Sequence, residues 1–177
     1  MPTINFKTKL YSIDSRTILR LPKNASAPLP SRAVNMVEAR VNGYGFKTVL
    51  EPDGKGSHWI EFGKTLQKAA KAKAGDTVTV KLEPTKQWIE PELPEDLKKA
   101  LASAPKQVQE LWADITPLAH WDWIRWIRAT KVAETRKKHI AVAISKMKAG
   151  TRRPCCFNRN LCTEPDVTHN WQLLEPS

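Results

Sequence analysis

The stretch DTVTVKLEPTKQWIEPELPEDLKKAL, Asp76 to Leu101, passes from one periodicity to another without a break in the chain. In Asp76–Leu82 apolar and polar residues alternate, with Val78, Val80 and Leu82 on one face, the period of a half-buried strand. Three prolines then fall within residues 84–94, which show no periodicity and read as a linker. From Glu95 the pattern is helical. Glu95 and Asp96 suit a first turn, where acids complement the helix dipole, and Leu97, Ala100 and Leu101 follow at helical spacing. A β unit therefore precedes a helical one, and the rest of the chain sorts to either side.

Upstream, Ile4–Leu10 alternates in the same way, and Thr17–Leu21 is a short strand ending at Pro22. Lys23–Ser31, with two prolines among small polar residues, reads as a loop. Arg40–Leu50 and Trp59–Phe62 read as strands flanking Glu51-Pro52-Asp53-Gly54-Lys55-Gly56, whose Pro-Asp-Gly is a turn signal. Gly43 and Gly45 around Tyr44 mark a bulge or bend inside the first of them. Lys64–Lys73, rich in alanine and lysine, reads as a helix stopped by Gly75. Several short strands with one helix suit a small barrel, which leaves no exposed edge.

Downstream, Ser103 and Pro105 open a second helix that turns Val108, Leu111, Trp112 and Ile115 inward. Thr116-Pro117 is a cap and first-turn pair for a third. On a helical wheel Trp123, Ile124, Trp126 and Ile127 share one side, while Asp122, Arg125 and Arg128 lie opposite and Trp121 sits at the edge. The tryptophan side is therefore expected to be core, and the cationic side wet. Ile140, Ala143, Ile144 and Met147 place a helix over Glu134–Met147, ended by Gly150. Neither Gly nor Pro marks a break near 129–133, so one helix or two over 118–149 stays open. The expected division is a β-barrel domain at 1–83, the linker at 84–94, a helical domain at 95–153 and a tail at 154–177. The fold class is α+β.

With 177 residues, 41% hydrophobic and 27% charged, the composition is that of a soluble globular protein of one large domain or two small ones. No apolar run is long enough for a membrane span, so no membrane insertion is expected. The first residues mix charge into every window, unlike a signal peptide. The three cysteines, Cys155, Cys156 and Cys162, are an odd number confined to the tail. That argues against a disulfide framework and for a reducing cytoplasm. The net charge of +11 is uneven: +7 over residues 1–83, −2 over 84–120, +8 over 121–153 and −2 over the tail. Such a balance admits nucleic acid, anionic lipid or acidic protein as partners and excludes none of the soluble folds.

The stretch WIRATKVAETRKKHIAVAISKMKAG, residues 126–150, resembles the helical region of the YdeI/OmpD-associated, or bacteriocin-protection, family. Thr130 departs from that family's usual Ala-Lys adjacency by standing between Ala129 and Lys131. VNGYGFKTVLEPDGKGSHWIEF (41–62) and AGDTVTVKLE (74–83) resemble a domain of unknown function often fused upstream of it. Together the two resemblances cover roughly residues 3–153. They imply a double-split β-barrel, similar to that of swapped-hairpin transcription regulators, ahead of a helical domain. They also imply an association with bacteriocin or envelope-stress protection, and they carry over no catalytic residue.

Candidate contacts for an anion or nucleic acid are Arg125, Arg128, Lys131, Thr135, Arg136, Lys137, Arg152 and Arg153, with Trp121 able to stack on a base. The competing reading is a solvated face whose long basic stems cover apolar surface. Thr135, Arg136 and Lys131 make an anion pocket if the helix continues; equally, Arg136 bridges to Glu134 or to an acid of the linker. Cys155, Cys156, Cys162 and His169 number four potential zinc ligands, but adjacent cysteines chelate one tetrahedral ion poorly, so no metal is expected. His58, His120, His139 and His169 are scattered, and no phosphate loop, dinucleotide fingerprint or nucleophile elbow occurs. No catalytic residue and no cofactor is assigned. The expected function is a non-enzymatic binding or stress-protection module, with nucleic-acid binding through 121–153 as the alternative. A second copy of the chain stays open as a partner.

Overall fold

The computed structural model describes residues 2–155 and 157–176. They form two compact units. One takes the chain through Gln87, then Arg159–Cys162, then the residues from Val167 onward. The other takes Trp88–Asn158 and Thr163–Asp166. The architecture is α+β, with a curled antiparallel sheet in the first unit and helices in the second.

The first unit holds β1 (Ile4–Lys9), β2 (Tyr11–Ile13), β3 (Arg16–Arg20), α1 (Lys23–Ser26), β4 (Asn35–Val41), β5 (Tyr44–Pro52), β6 (His58–Glu61), α2 (Lys64–Ala70) and β7 (Thr77–Pro84). The strands form one sheet in the order β1-β7-β4-β5-β6-β3-β2, antiparallel throughout. Strand β5 serves both halves: Tyr44–Leu50 pair with β4, whereas Glu51 and Pro52 pair with β6. The sheet curls into a half-barrel, and the Thr8 hydroxyl of β1 donates to the Arg20 carbonyl of β3 at 3.0 Å across the seam.

The alternation read in β7 is what aims it. Val78, Val80 and Leu82 are buried, and Thr77, Thr79 and Lys81 are exposed. Leu10, Leu19, Val37, Leu50 and Phe62 complete the barrel core. The opposite face of β3 and β6 is covered as well. There Ile13, Ile18 and Trp59 pack on Cys162, Val167 and Leu173 of the C-terminal segment. That segment carries a 3-10 turn at Pro165–Val167 and the short strands β8 (Thr168–His169) and β9 (Gln172–Leu173). Its Leu173 N–H donates to the Asp53 carbonyl at 2.8 Å.

Three local expectations change. Arg40–Leu50 is not one bulged strand: Asn42 and Gly43, at φ 49° and 85°, form a two-residue turn between β4 and β5, with Val41 opposite Tyr44. Asn-Gly is the pair best suited to a hairpin turn with both φ positive, and its twist matches that of the strands. Helix α2 stops at Ala70 because Lys71 adopts a left-handed conformation at φ 54°, while Gly75 serves the turn into β7. The 23–31 loop opens with the short α1.

The second unit packs α3 (Glu95–Ala102), α4 (Lys106–Asp114), α5 (Pro117–Arg128) and α6 (Ala133–Lys148) around Leu97, Val108, Ile115, Trp123, Ile127 and Met147. The Thr116 hydroxyl accepts from Ala119 N–H at 3.2 Å, with Pro117 in the first turn, as that pair requires. Ser103 ends α3 rather than opening α4, which begins behind Pro105. The chain breaks between α5 and α6, where the Thr130 hydroxyl accepts from Val132 N–H at 3.1 Å. Trp123 is fully buried, its indole N–H donating to the Arg152 carbonyl at 3.0 Å. Burying that ring contributes on the order of 4–6 kcal/mol of transfer free energy as an upper bound. Trp126 is half-buried and stands edge-on to Trp123 at 6.2 Å.

The cationic side of α5 is not wet. Asp122 and Arg125 are both fully buried. The Arg153 Nε lies 3.8 Å from Asp122, and the Arg125 guanidinium sits over the Phe157 ring at 5.6 Å. A helical wheel separates polar from apolar residues, but it cannot show that a later segment of chain returns to cover the polar side.

Candidate functional site

The basic residues singled out in the helical unit resolve into ion pairs. Arg136 reaches Asp96 in the first turn of α3 with two nitrogens, Nε to Oδ2 at 2.6 Å and Nη2 to Oδ1 at 3.1 Å. This hydrogen bonding holds the Asp96 carboxyl below its ordinary value against an opposing effect of burial, and it raises Arg136 correspondingly. Neither Glu134 nor the linker supplies the partner. Arg128 pairs with Glu164 at 3.6 Å, and the Glu164 charge also acts on Arg136. Asp96, Arg136, Glu164 and Arg128 therefore form a cluster of alternating charge. Arg152 pairs with Asp114 at 2.9 Å and Arg153 faces the buried Asp122.

Of the eight candidates, Arg128 and Arg136 are brought together, Arg125 is withdrawn into the interior, and Arg152 and Arg153 go to other acids. Lys131 and Lys137 are exposed, as is Lys138, and Thr135 is half-buried. Among the described residues no carboxylate pairs with these three lysines. Trp121 is half-buried and leans on the linker, its indole N–H 3.4 Å from the Ile89 carbonyl. His139 was not singled out by sequence, yet its ring stacks on Trp126 at 4.4 Å and 18°. The pair forms a half-buried aromatic ledge on α5 and α6.

Two further histidines are committed within the fold. His120 has Nδ1 at 2.7 Å from Glu90 and Nε2 at 2.7 Å from the Trp112 carbonyl, with its ring on that of Trp112. In the β unit the buried His58 faces the Ser26 hydroxyl with Nδ1, and the Ala33 carbonyl at 2.8 Å with Nε2. Burial pushes the His58 ring below its ordinary pKa and favours the neutral form. Cys162 is fully buried beside Trp59, while Cys155 is exposed, with Lys146 Nζ 3.0 Å from its sulfur. Cys156 lies outside the described residues, and His169 is exposed in β8. Among the described residues no group of three or more His, Cys, Asp or Glu is placed to hold a metal. Among the described residues no helix is long and apolar enough to cross a membrane.

Residues 90–150 match the family model described as bacteriocin-protection, YdeI or OmpD-associated, and residues 6–82 match a domain of unknown function, DUF1905. The chain thus carries a YdeI/OmpD-associated region behind a DUF1905 region, each spanning less than half of it. The YdeI/OmpD-associated match runs from Glu90 to Gly150 and so takes in the His120–Glu90 and Arg136–Asp96 pairs. Glu164, Phe157 and the segment that covers β3 and β6 lie outside both matches. The chain matched none of the curated proteins with which it was compared.

Proposed function

We propose that this protein acts in the cytoplasm by binding a partner rather than by turning over a substrate. On this reading the bacteriocin protection in the matched family's description comes from that contact. One observation carries the reading. The groups most able to do chemistry, His58, His120, Arg125, Arg128 and Arg136, are engaged with other groups of the chain. A ring whose two nitrogens both face internal partners is poorly placed to move a substrate proton. What the helical unit presents outward is Lys131, Lys137 and Lys138 near the Trp126–His139 ledge, a surface suited to contact. The cytoplasmic placement rests on cysteine usage.

Nucleic-acid binding through 121–153 keeps those three lysines in its favour. It loses Arg125 to burial and Arg128, Arg136, Arg152 and Arg153 to acidic neighbours.

The test is survival on bacteriocin challenge of cells lacking the protein and complemented with wild type or with Lys131→Glu/Lys137→Glu/Lys138→Glu. Loss of protection in the triple variant, with its unfolding midpoint unchanged, supports the reading. Full protection by the variant, or turnover of any substrate by the purified chain, overturns it.

A further inference from the structure

The run FGKTLQKAAKAKAG, Phe62 to Gly75, contains no acid and carries four lysines. Lys64 and Lys68 stand at i and i+4 and so share one side of α2, and Lys71 follows as its left-handed C-cap. They do not simply scatter into solvent. Together with Gln67 and Lys73 they line a groove of about 440 Å³.

Backbone geometry holds that groove in shape. Lys71 carries a side chain in the left-handed region at φ 54°, a conformation that disfavours any residue with a β-carbon. The turn after it is closed from both ends: Lys73 N–H donates to the Asp76 carboxylate at 3.0 Å, and Asp76 N–H returns to the Lys73 carbonyl at 3.0 Å. Gly75 N–H and Leu10 N–H then exchange bonds between this turn and the end of β1, at 2.8 and 2.9 Å. The Asp76 carboxylate, the one acid lining the groove, is thus occupied by backbone. Among the described residues no carboxylate pairs with Lys64, Lys68, Lys71 or Lys73. Strand β1 extends the charge. Lys7 and Lys9 are exposed, opposite Thr79 and Thr77 of β7, and Lys9 adjoins the Leu10 that ties to the turn.

We infer that this lysine groove of the DUF1905 unit binds the phosphate backbone of duplex nucleic acid without reading its sequence. The residue types decide the class of partner. Six lysines and no arginine present mobile point charges, which suit repeated phosphates; a single bidentate anion calls for an arginine fork. Gln67, the one neutral hydrogen-bonding side chain among them, spends its amide N–H on the Phe62 carbonyl at 2.9 Å. No aromatic ring lines the groove, so there is no platform on which a splayed single strand would stack. The inference does not depend on the helical unit's role, because the two surfaces share no residue.

The experiment uses the full chain and a fluorescently labelled DNA duplex of about 25 base pairs, with anisotropy read from about 50 to 200 mM salt. Binding should weaken with salt at a log–log slope of about −0.9 for each phosphate neutralised. Lys64→Gln/Lys68→Gln/Lys71→Gln/Lys73→Gln should cost at least about tenfold in affinity at the lowest salt and flatten the slope by about three to four. Lys131→Gln/Lys137→Gln/Lys138→Gln should leave both unchanged, which separates this site from the helical surface. Lack of duplex binding at the lowest salt overturns the inference, as does an unaltered slope in the four-lysine variant. Vesicles containing phosphatidylserine serve as the second arm: groove-dependent capture by vesicles without groove-dependent duplex binding also overturns it. Lys64→Arg/Lys68→Arg, which keeps the charge, should retain binding even if the neutral variant folds poorly.

Discussion

Arg136 grips Asp96 with two nitrogens across a separation of 40 residues in sequence, joining the first turns of α6 and α3. The cation that opposes the dipole of α6 thereby meets an acid that favours the dipole of α3. The Asp96 carboxyl is held below its ordinary 3.8, so the unfolded chain binds its proton more readily. The stabilisation is present above that ordinary value and is lost as pH falls through the folded one. Asp96→Asn should cost about 0.5–1 kcal/mol at neutral pH, a value set by the pair's solvent exposure. Denaturant titrations of variant and wild type should converge as pH falls below the ordinary carboxylate range. A constant gap through that range would show that the ion pair contributes nothing.

His58 predicts a second loss of stability on acidification, over a higher pH range and from a different cause. Burial lowers its pKa, so below 6.5 the unfolded chain takes up a proton that the folded one refuses. Stability should therefore fall as pH drops from about 7 to 5. His58→Gln should cost about 1–3 kcal/mol at pH 7, because the bonds to Ser26 and the Ala33 carbonyl are disturbed. It should also flatten the slope over that range. An undiminished slope in thermal melts of the variant would assign the acid sensitivity elsewhere.

Two glycines with positive φ should respond unequally to alanine. A β-carbon on Gly54 (φ 75°) would lie 2.1 Å from the Trp171 carbonyl oxygen, whereas one on Gly43 (φ 85°) meets nothing within 4 Å. Gly43→Ala should cost about 1 kcal/mol from backbone conformation alone. Gly54→Ala adds a backbone clash and should cost at least about 3 kcal/mol. Equal unfolding midpoints for the two would mean that the C-terminal segment does not press on the β5–β6 turn in solution.

Arg125 on α5 and Lys137 on α6 are both basic but differ in environment, and so separate burial from charge. Arg125→Ala should lower stability by about 3 kcal/mol, since it empties a fully buried position and uncovers the Phe157 ring. Lys137→Ala, at an exposed position, should change stability by no more than about 0.5 kcal/mol. Urea unfolding followed by tryptophan fluorescence reads both. A neutral outcome at Arg125 would restore it to the surface.

Local signals carried the architecture. Alternation at Val78, Val80 and Leu82 aims β7, and Thr116-Pro117 starts α5 where its cap chemistry places it. The Asn42-Gly43 hairpin is equally local, but Gly45 two residues on gives the same stretch the pattern of a bulged strand. The candidate site was less legible for a physical reason. Whether Arg128 and Arg136 meet a ligand or an acid depends on Glu164 and Asp96, which only tertiary packing brings near. Likewise nothing in the periodicity of α5 reveals that Arg153 returns to Asp122 and Phe157 to Arg125. The lysines of α2 were visible as composition, but their convergence depends on the left-handed Lys71 and the turn behind it.

The packing of Cys162, Val167 and Leu173 on Ile13, Ile18 and Trp59 has a consequence for biogenesis. A ribosome completes β6 about 100 residues before it delivers Cys162, a delay of roughly 5–20 s at ordinary elongation rates. Throughout that interval one side of the nascent sheet shows bare tryptophan and isoleucine to solvent while the intervening helices are being made. Chaperone dependence during synthesis should therefore concentrate on that apolar patch and end when the last strands emerge.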